Sequence, residues 1–187
     1  IEDDDWFGYY VEPIGDLDNN KVTDLAVSAV KDDDGDFNKG AVYILYMNVN
    51  GTVDSYQKIS QTQGNFSGQL NQYELFGTGL KYLGDINNDG NFELAVAAEY
   101  NSEFSYRSGR LWILSINNSG IVQNTMKIPE NNILNLSTWD VFGSDVTTVG
   151  DLDNNGTVDL AVGSRRYNDE GAVYILFMNP DLTIQSY

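Results

Sequence analysis

The chain has 187 residues and a formal net charge of -18. A surface this acidic repels nucleic acids and anionic membranes, so metal cations are its natural counterparts. The sequence contains no histidine and no cysteine, which excludes disulfides, the usual zinc sites and catalytic pairs that need an imidazole or a thiol. It also has no apolar run long enough to cross a membrane, and no retained signal peptide is expected.

The first predicted strand covers residues 8–14 and leads into an acidic loop, residues 15–24. A short apolar run, LAV at 25–27, predicts a second strand. The segment AVYILYM at 41–47 is β-branched and aromatic, which is typical of a buried third strand. After a tight turn, TVDSYQKI at 52–59 alternates apolar and polar residues, as a half-exposed fourth strand does. The unit is therefore predicted to be a four-stranded meander.

The same order of signals recurs further along the chain. Phe-Gly pairs stand at 7–8, 76–77 and 142–143, and the first acidic residue of each loop follows its phenylalanine by nine positions. The third-strand segment recurs as GRLWILSIN at 109–117 and as GAVYILFMN at 171–179. A fixed period of this size predicts a repeat architecture.

We therefore predict an all-β fold made of three β-propeller blades, each a four-stranded antiparallel meander, in a single propeller segment covering 1–187. The predicted repeats cover 1–66, 67–135 and 136–187, and the last strand of the third repeat is expected to be cut short. Propellers have about four to eight blades. Further blades are therefore expected, either from a longer parent chain or from a second copy.

Oxygen donors occupy positions 1, 3, 5 and 9 of each acidic loop, while position 7 varies in chemistry, as expected where a backbone carbonyl is the ligand. The positions are Asp16, Asp18, Asn20, Val22 and Asp24 in the first loop, Asp85, Asn87, Asp89, Asn91 and Glu93 in the second, and Asp151, Asp153, Asn155, Thr157 and Asp159 in the third. Hard oxygen ligands at this spacing predict Ca²⁺, which binds about six to eight oxygens. Three calcium sites are therefore predicted. The alternative is a set of solvated turns, but clustered carboxylates in three matching registers repel one another without a cation.

The spacing differs from that of an EF-hand, which needs a glutamate at position 12 and helical flanks. Here position 12 is valine in every loop and the flanks are predicted strands. Position 6 is Gly90 in the second loop and Gly156 in the third, but Lys21 in the first. A positive φ at a lysine costs about 1 kcal/mol, and Lys21 adds a positive charge near the site, so the first site is predicted to bind calcium most weakly.

The Phe-Gly pair, the D-x-[DN]-x-[DN]-x-x-x-[DE] loop and the following LAV run resemble the FG-GAP repeat of integrin alpha-subunit β-propellers and their bacterial relatives. The resemblance covers nearly the whole chain and implies calcium between the first two strands of each blade, in a propeller typically of seven blades. The Gly-Ala-Pro part of the family pattern is replaced by Ser28-Ala29-Val30, Ala97-Ala98-Glu99 and Gly163-Ser164-Arg165. The packing at this position is left open by these departures.

The predicted function is a secreted or cell-surface, calcium-binding module for protein or glycan binding or adhesion, and not an enzyme. Its partner is expected on the face opposite the calcium loops, where the loops 31–39, 99–108 and 164–170 share no pattern. Unconstrained loop drift is the alternative. Residue types that are frequent in interfaces and in sugar stacking occur there at Tyr100, Phe104, Tyr106, Arg107, Arg165, Arg166 and Tyr167.

Two other classes of function stay open. One is an architectural subunit of an extracellular appendage or sheath. The other is the propeller domain of a carbohydrate-active enzyme such as a polysaccharide lyase, using tyrosine, arginine or carboxylate groups. The acidic run 32–36 is predicted to be a solvated loop rather than a further cation site.

Overall fold

The computed structural model describes residues 1–103, 105–129 and 133–187. Within these residues the chain forms twelve strands and one short 3-10 helix at Tyr167–Asp169, and no helix there is both long and apolar enough to cross a lipid bilayer. The strands are β1 (Phe7–Pro13), β2 (Leu25–Ala29), β3 (Ala41–Met47), β4 (Val53–Ile59), β5 (Leu80–Gly84), β6 (Phe92–Ala97), β7 (Leu111–Ile116), β8 (Val122–Ile128), β9 (Phe142–Gly150), β10 (Asp159–Ser164), β11 (Ala172–Met178) and β12 (Ile184–Ser186).

Consecutive strands pair into antiparallel meanders. Sheet I contains β1 to β4, sheet II contains β5 to β8 and sheet III contains β9 to β12, each in chain order. Short connections between β-branched and aromatic runs favour this pairing of neighbours. The described part of the chain thus confirms the predicted all-β fold of four-stranded antiparallel blades.

The hydrophobic core lies between the sheets. Ile44 of sheet I packs in one cluster with Leu94 of sheet II. On the other face of sheet II, Ile113 packs in one cluster with Leu160 and Leu176 of sheet III. Every residue of β6 and β7 is buried because sheet II is covered on both faces. Sheets I and III are each covered on one face by sheet II.

The meander places the acidic loops at one edge of each sheet, which is formed by the ends of its strands. They lie beside the turn between the third and fourth strands. Asn20 donates its side-chain N–H to the carbonyl of Met47 at 2.9 Å, and Asn155 donates to the carbonyl of Met178 at 2.8 Å. We call this the acidic-loop edge. The connections β2–β3, β6–β7 and β10–β11 lie at the opposite edge.

The acidic run in the β2–β3 loop differs from its prediction as a solvated loop. Asp32 is buried, and its carboxylate forms an ion pair with Lys58 of β4 at 2.7 Å. Asp34 pairs with the same ammonium group at 2.8 Å. Although burial opposes the charge on Lys58, its hydrogen bonds to these two carboxylates raise the lysine pKa. The lysine comes from a distant strand, so the run itself contained no sign of it.

Candidate metal and partner-binding sites

The first acidic loop wraps its backbone around its own carboxylates. Asp16 and Asp18 both accept a hydrogen bond from the backbone N–H of Asn20, each at 3.0 Å. Asp24 is fully buried and accepts from the backbone N–H of Met47 at 2.9 Å. Oxygens of the carboxylates at 16, 18 and 24 lie within 4.8 Å of one another. The loop therefore holds three negative charges together at the edge of sheet I.

The third acidic loop repeats this arrangement. Asn155 donates its backbone N–H to Asp151 at 3.0 Å and to Asp153 at 3.1 Å. Asp159 is fully buried and accepts from the backbone N–H of Met178 at 2.9 Å. One carboxylate oxygen from each of positions 151, 153 and 159 lies within 4.8 Å of the other two.

The second acidic loop has the same backbone turn but a looser set of charges. Asp89 donates its backbone N–H to Asp85 at 3.0 Å and to the side-chain oxygen of Asn87 at 3.1 Å. Glu93 is fully buried, and burial raises its pKa. One Glu93 oxygen accepts from the Ile86 N–H at 3.0 Å, and a side-chain hydrogen bond with Ser115 also opposes the effect of burial on its pKa. Among the described residues, only the first and third acidic loops bring three carboxylates within 4.8 Å of one another.

The donor sets of the first and third loops fit a calcium ion. Calcium–oxygen distances are about 2.3–2.6 Å, so two oxygens on one ion lie at most about 5 Å apart. The observed spacing satisfies this limit. A bound cation would also relieve the repulsion between the clustered carboxylates. In the second loop, a cation would balance the charge of the fully buried Glu93 carboxylate.

Position 6 adopts a left-handed backbone conformation in each loop. The φ angle is 71° at Lys21, 88° at Gly90 and 91° at Gly156. Glycine reaches this region without steric cost, whereas lysine does not. The conformation that the weak-site prediction requires is therefore present, while the relative affinities stay a prediction.

At the opposite edge, a group of arginine and aromatic side chains lies together. The Arg107 guanidinium lies over the rings of Tyr100 (4.3 Å to the centroid) and Trp139 (4.7 Å). Arg166 lies 5.2 Å from the same Trp139 ring, and Tyr106 meets that ring edge-on at 5.2 Å. We call these five residues the arginine–aromatic cluster. It joins the β6–β7 loop to the β10–β11 loop through Trp139.

Beside the cluster is a small cavity of about 100 Å³, which Arg165 also lines. The Arg165 guanidinium forms an ion pair with Glu99 at 3.0 Å. Burial raises the pKa of Glu99, and the charge of Arg165 opposes this shift. The structure thus brings together Tyr100, Tyr106, Arg107, Arg165 and Arg166 of the predicted partner residues.

Tyr167, a further predicted partner residue, is not part of this cluster. It packs edge-on against Tyr174, with centroids 6.0 Å apart. Phe104 lies outside the described residues. Sequence reasoning missed Trp139, which belongs to the connection before β9. Its backbone N–H donates to the carbonyl of Tyr106 at 2.9 Å, and this non-local contact brings the indole to the cluster.

Residues 142–176 match the family model described as FG-GAP repeat. Integrin alpha-6 from Homo sapiens is 33% identical over 158 residues, covering 84% of this chain and 12% of that protein. Integrin alpha-3 from Cricetulus griseus is 30% identical over 156 residues, covering 81% and 13%. Integrin alpha-6 from Gallus gallus is 29% identical over 185 residues, covering 96% and 15%. The chain is an FG-GAP repeat protein that is similar to integrin alpha subunits over most of its length. It spans only 12% to 15% of the length of these relatives.

The Phe-Gly pairs of the FG-GAP repeats connect neighbouring sheets. Phe76, which precedes sheet II, donates its N–H to the carbonyl of Lys39 in the β2–β3 loop at 2.8 Å. Phe142 donates in the same way to Ser108 in the β6–β7 loop at 2.9 Å and forms a parallel bridge with Gly109. Each of these two pairs therefore attaches a sheet to the loop of the preceding one.

The family's Gly-Ala-Pro position faces these Phe-Gly glycines. A Cβ built on Gly77 would lie 2.7 Å from the Cβ of Ser28, and one built on Gly143 would lie 3.5 Å from the Cβ of Ala97. Small side chains thus fill the place of the family's glycine. A side chain at position 77 would collide with Ser28, whereas at Gly143 the close contact is the carbonyl oxygen of Arg110, 2.8 Å from a built Cβ.

A buried acidic residue precedes each Phe-Gly pair by two positions and was missed as a shared feature. Asp5, Glu74 and Asp140 are each buried. Glu74 accepts from the backbone N–H of Asn71 at 2.7 Å, and Asp140 accepts from that of Ser137 at 2.6 Å. The pattern [DE]-x-F-G was visible in all units of the sequence and marks the turn that leads into each sheet.

Proposed function

We propose that this chain is a calcium-stabilised, extracellular adhesion-type module that binds a protein partner through the edge opposite its acidic loops. The observation that carries the proposal is the arginine–aromatic cluster, because arginine, tyrosine and tryptophan dominate the energetics of protein interfaces. The similarity to integrin alpha subunits supports a cell-surface binding role rather than an enzymatic one.

Calcium has a structural role in this proposal. The carboxylates at positions 1, 3 and 9 of the first and third FG-GAP loops would hold it, with the side chain at position 5 and the carbonyl at position 7. The remaining calcium ion would lie in the second loop, where Glu93 is the residue at position 9. Calcium would neutralise the clustered charge and tie the buried residue at position 9 to the exposed turn, so each loop would order the edge of its sheet.

Melting of the chain with saturating calcium and with a chelator tests this role. Because calcium binds the folded loops in preference to the unfolded chain, it should raise the melting temperature. Asp159→Asn should remove part of this increase, whereas Asp54→Asn, an exposed change of the same charge on β4, should leave it intact. A melting temperature that does not respond to the chelator would contradict calcium binding.

Selection from a randomised displayed peptide library, in calcium, tests the partner surface. The cluster presents two arginines, so the enriched peptides should be rich in acidic and aromatic residues. Arg107→Ala and Trp139→Ala should each weaken the binding of a selected peptide at least tenfold. Tyr56→Ala, an exposed aromatic change on sheet I, is the control. Peptide binding that ignores both cluster variants would contradict this surface, and binding to a glycan array alone would favour a glycan partner.

A further inference from the structure

A groove of about 890 Å³ runs beside β8, the edge strand of sheet II. Residues 67–69 of the β4–β5 connection form one wall and residues 125–127 of β8 form another. Arg110 and Trp112, at the start of β7, form the base. The volume lies within the range of about 300–1,000 Å³ that is usual for ligand pockets.

Buried hydrogen-bond donors line this groove without partners. The Nε of Arg110, the Nε1 of Trp112 and the Oγ1 of Thr125 have no hydrogen-bond partner among the described residues. Arg110 is only 1% exposed and Trp112 only 3%. Because an unpaired buried donor is unfavourable, a cluster of them indicates a missing acceptor.

The corresponding place in sheet I shows what that acceptor is. Asp32 and Asn101 stand at equivalent positions of the β2–β3 and β6–β7 loops, 69 residues apart. The Oδ1 of Asp32 accepts the backbone N–H of Asp34 at 3.0 Å, and the Oδ1 of Asn101 accepts that of Glu103 at 3.0 Å. The same turn therefore holds both side chains, and only the second polar atom differs.

In sheet I that second atom is a carboxylate oxygen. The Oδ2 of Asp32 accepts from the hydroxyl of Tyr43 at 3.3 Å and pairs with Lys58 at 2.7 Å. In sheet II the second atom is the Nδ2 of Asn101, a donor in place of an acceptor, and the hydrogen bond of Asn101 with the buried Glu74 carboxyl opposes the rise in pKa that burial gives Glu74. Trp112 stands at the position of Tyr43, so its N–H has lost the acceptor that the tyrosine has.

The charged residues of sheet II also differ from those of sheet I in a way that favours binding of an anion. Arg110 stands where sheet I has Ala41, and its guanidinium contacts Glu103, which Lys127 also contacts at 3.0 Å. Burial lowers the pKa of Arg110, and the buried carboxyl of Glu74 opposes this shift. Sheet II thus has one more cation and one fewer anion at this place than sheet I.

We propose that the groove binds a carboxylate, which takes the place that the Asp32 side chain occupies in sheet I. Arg110, Trp112 and Thr125 donate hydrogen bonds to it. Gly68 leaves room beside the indole, because a Cβ there would lie 2.7 Å from the Trp112 ring. The carboxylate belongs either to an acidic side chain of a peptide or to a small free acid. This site is separate from the arginine–aromatic cluster and does not depend on the function proposed for it.

The indole N–H resonance of Trp112 reports directly on the proposed contact. The ¹⁵N-labelled chain, at constant free calcium, is titrated with Gly-Gly-Asp-Gly-Gly amide, with its asparagine analogue and with acetate. A saturable downfield shift with the aspartate peptide, and none with the asparagine peptide, is expected. A matching shift with acetate would identify a free acid as sufficient. No saturable shift with either acid, or an equal shift with the asparagine peptide, would overturn the proposal.

Three variants sharpen the test. Asn101→Asp restores the internal carboxylate of sheet I, so it should weaken binding at least tenfold, and its melting curve shows whether the variant is folded. Thr125→Val removes one donor and should weaken binding without unfolding the chain. Arg166→Met changes the arginine–aromatic cluster and should leave the Trp112 shift unchanged, which separates this site from the proposed partner surface. Unaltered binding in Asn101→Asp would overturn the proposal.

Discussion

Lys21 illustrates how one residue sets the strain of an acidic loop. Its φ of 71° lies in the left-handed region, where the equivalent residues are Gly90 and Gly156. Lys21→Gly should therefore stabilise the calcium-free chain by about 1 kcal/mol. It should also tighten calcium binding at the first loop, because it removes a positive charge that lies near the bound cation. Urea denaturation in a chelator measures the first effect, and calorimetric titration measures the second.

The reverse change in the third loop is the control. Gly156→Lys places the same side chain at a φ of 91° and should destabilise the chain by a similar amount, about 1 kcal/mol. If neither substitution alters the free energy of unfolding, backbone strain at position 6 does not distinguish the loops.

Glu99 gives the chain a pH-dependent contribution to stability. Burial raises its pKa above 4.5, against the opposing charge of Arg165. The stability linked to its protonation is therefore complete below pH 4.5 and is lost as the pH rises through the folded-state pKa. The melting temperature of Glu99→Gln, relative to the wild type, should accordingly rise between pH 4 and about pH 7. Glu170→Gln, an exposed change of the same charge, should show no such trend.

Residue roles were predictable from the sequence where they depend on local spacing. The carboxylates at 16, 18 and 24 lie together because one tight loop holds them. Trp139 could not be placed, because its ring reaches Arg107 only after the connection before β9 pairs with the β6–β7 loop. The burial of Asp32 was missed for the same reason, since its partner Lys58 lies on another strand.

At the scale of elements, the periodicity of the sequence predicted where the strands lie, whereas glycine residues allow neighbouring sheets to pack closely. The predicted third strand at 41–47 matches β3, Ala41–Met47, because a glycine and an asparagine bound its apolar run. The predicted first strand at 8–14 is shifted by one residue from β1, Phe7–Pro13. Periodicity gave no sign that Phe142 would bridge to Gly109 in the preceding sheet, because that contact joins two repeats.

Gly109→Ala tests the attachment of sheet III to sheet II. A Cβ on Gly109 would lie 2.1 Å from the carbonyl oxygen of Phe142, and φ there is +86°. The substitution should force the β6–β7 loop away from the Phe-Gly pair. We expect a loss of about 2 kcal/mol or more beyond that of a strained alanine in open space, measured by urea denaturation.

Gly84→Ala supplies that comparison. Gly84 has a φ of +79°, but a Cβ there meets nothing within 4 Å. Its loss should be about 1 kcal/mol, from backbone strain alone. Equal losses for the two alanine variants would mean that the close approach to Phe142 contributes nothing to holding the sheets together.

At the scale of the whole molecule, the end sheets leave apolar side chains in solvent. On sheet I, Phe7 and Tyr56 pack around Tyr43, and Tyr56 is 65% exposed. On sheet III, Val173 is 69% exposed. Sheet II buries the corresponding strands on both faces, so a further sheet would cover these surfaces in the same way. Exposed apolar patches of this kind favour association.

We therefore expect the isolated chain to self-associate with increasing concentration in sedimentation equilibrium, through the face of sheet III. Val173→Lys should shift the equilibrium toward the monomer, because a charge would have to be buried in the contact. Val49→Lys, in a turn and 92% exposed, changes the net charge of -18 by the same amount. Since added lysine reduces the repulsion between these acidic chains, Val49→Lys should leave association unchanged or strengthen it. If both variants dissociate equally, or neither does, the sheet III face is not the contact.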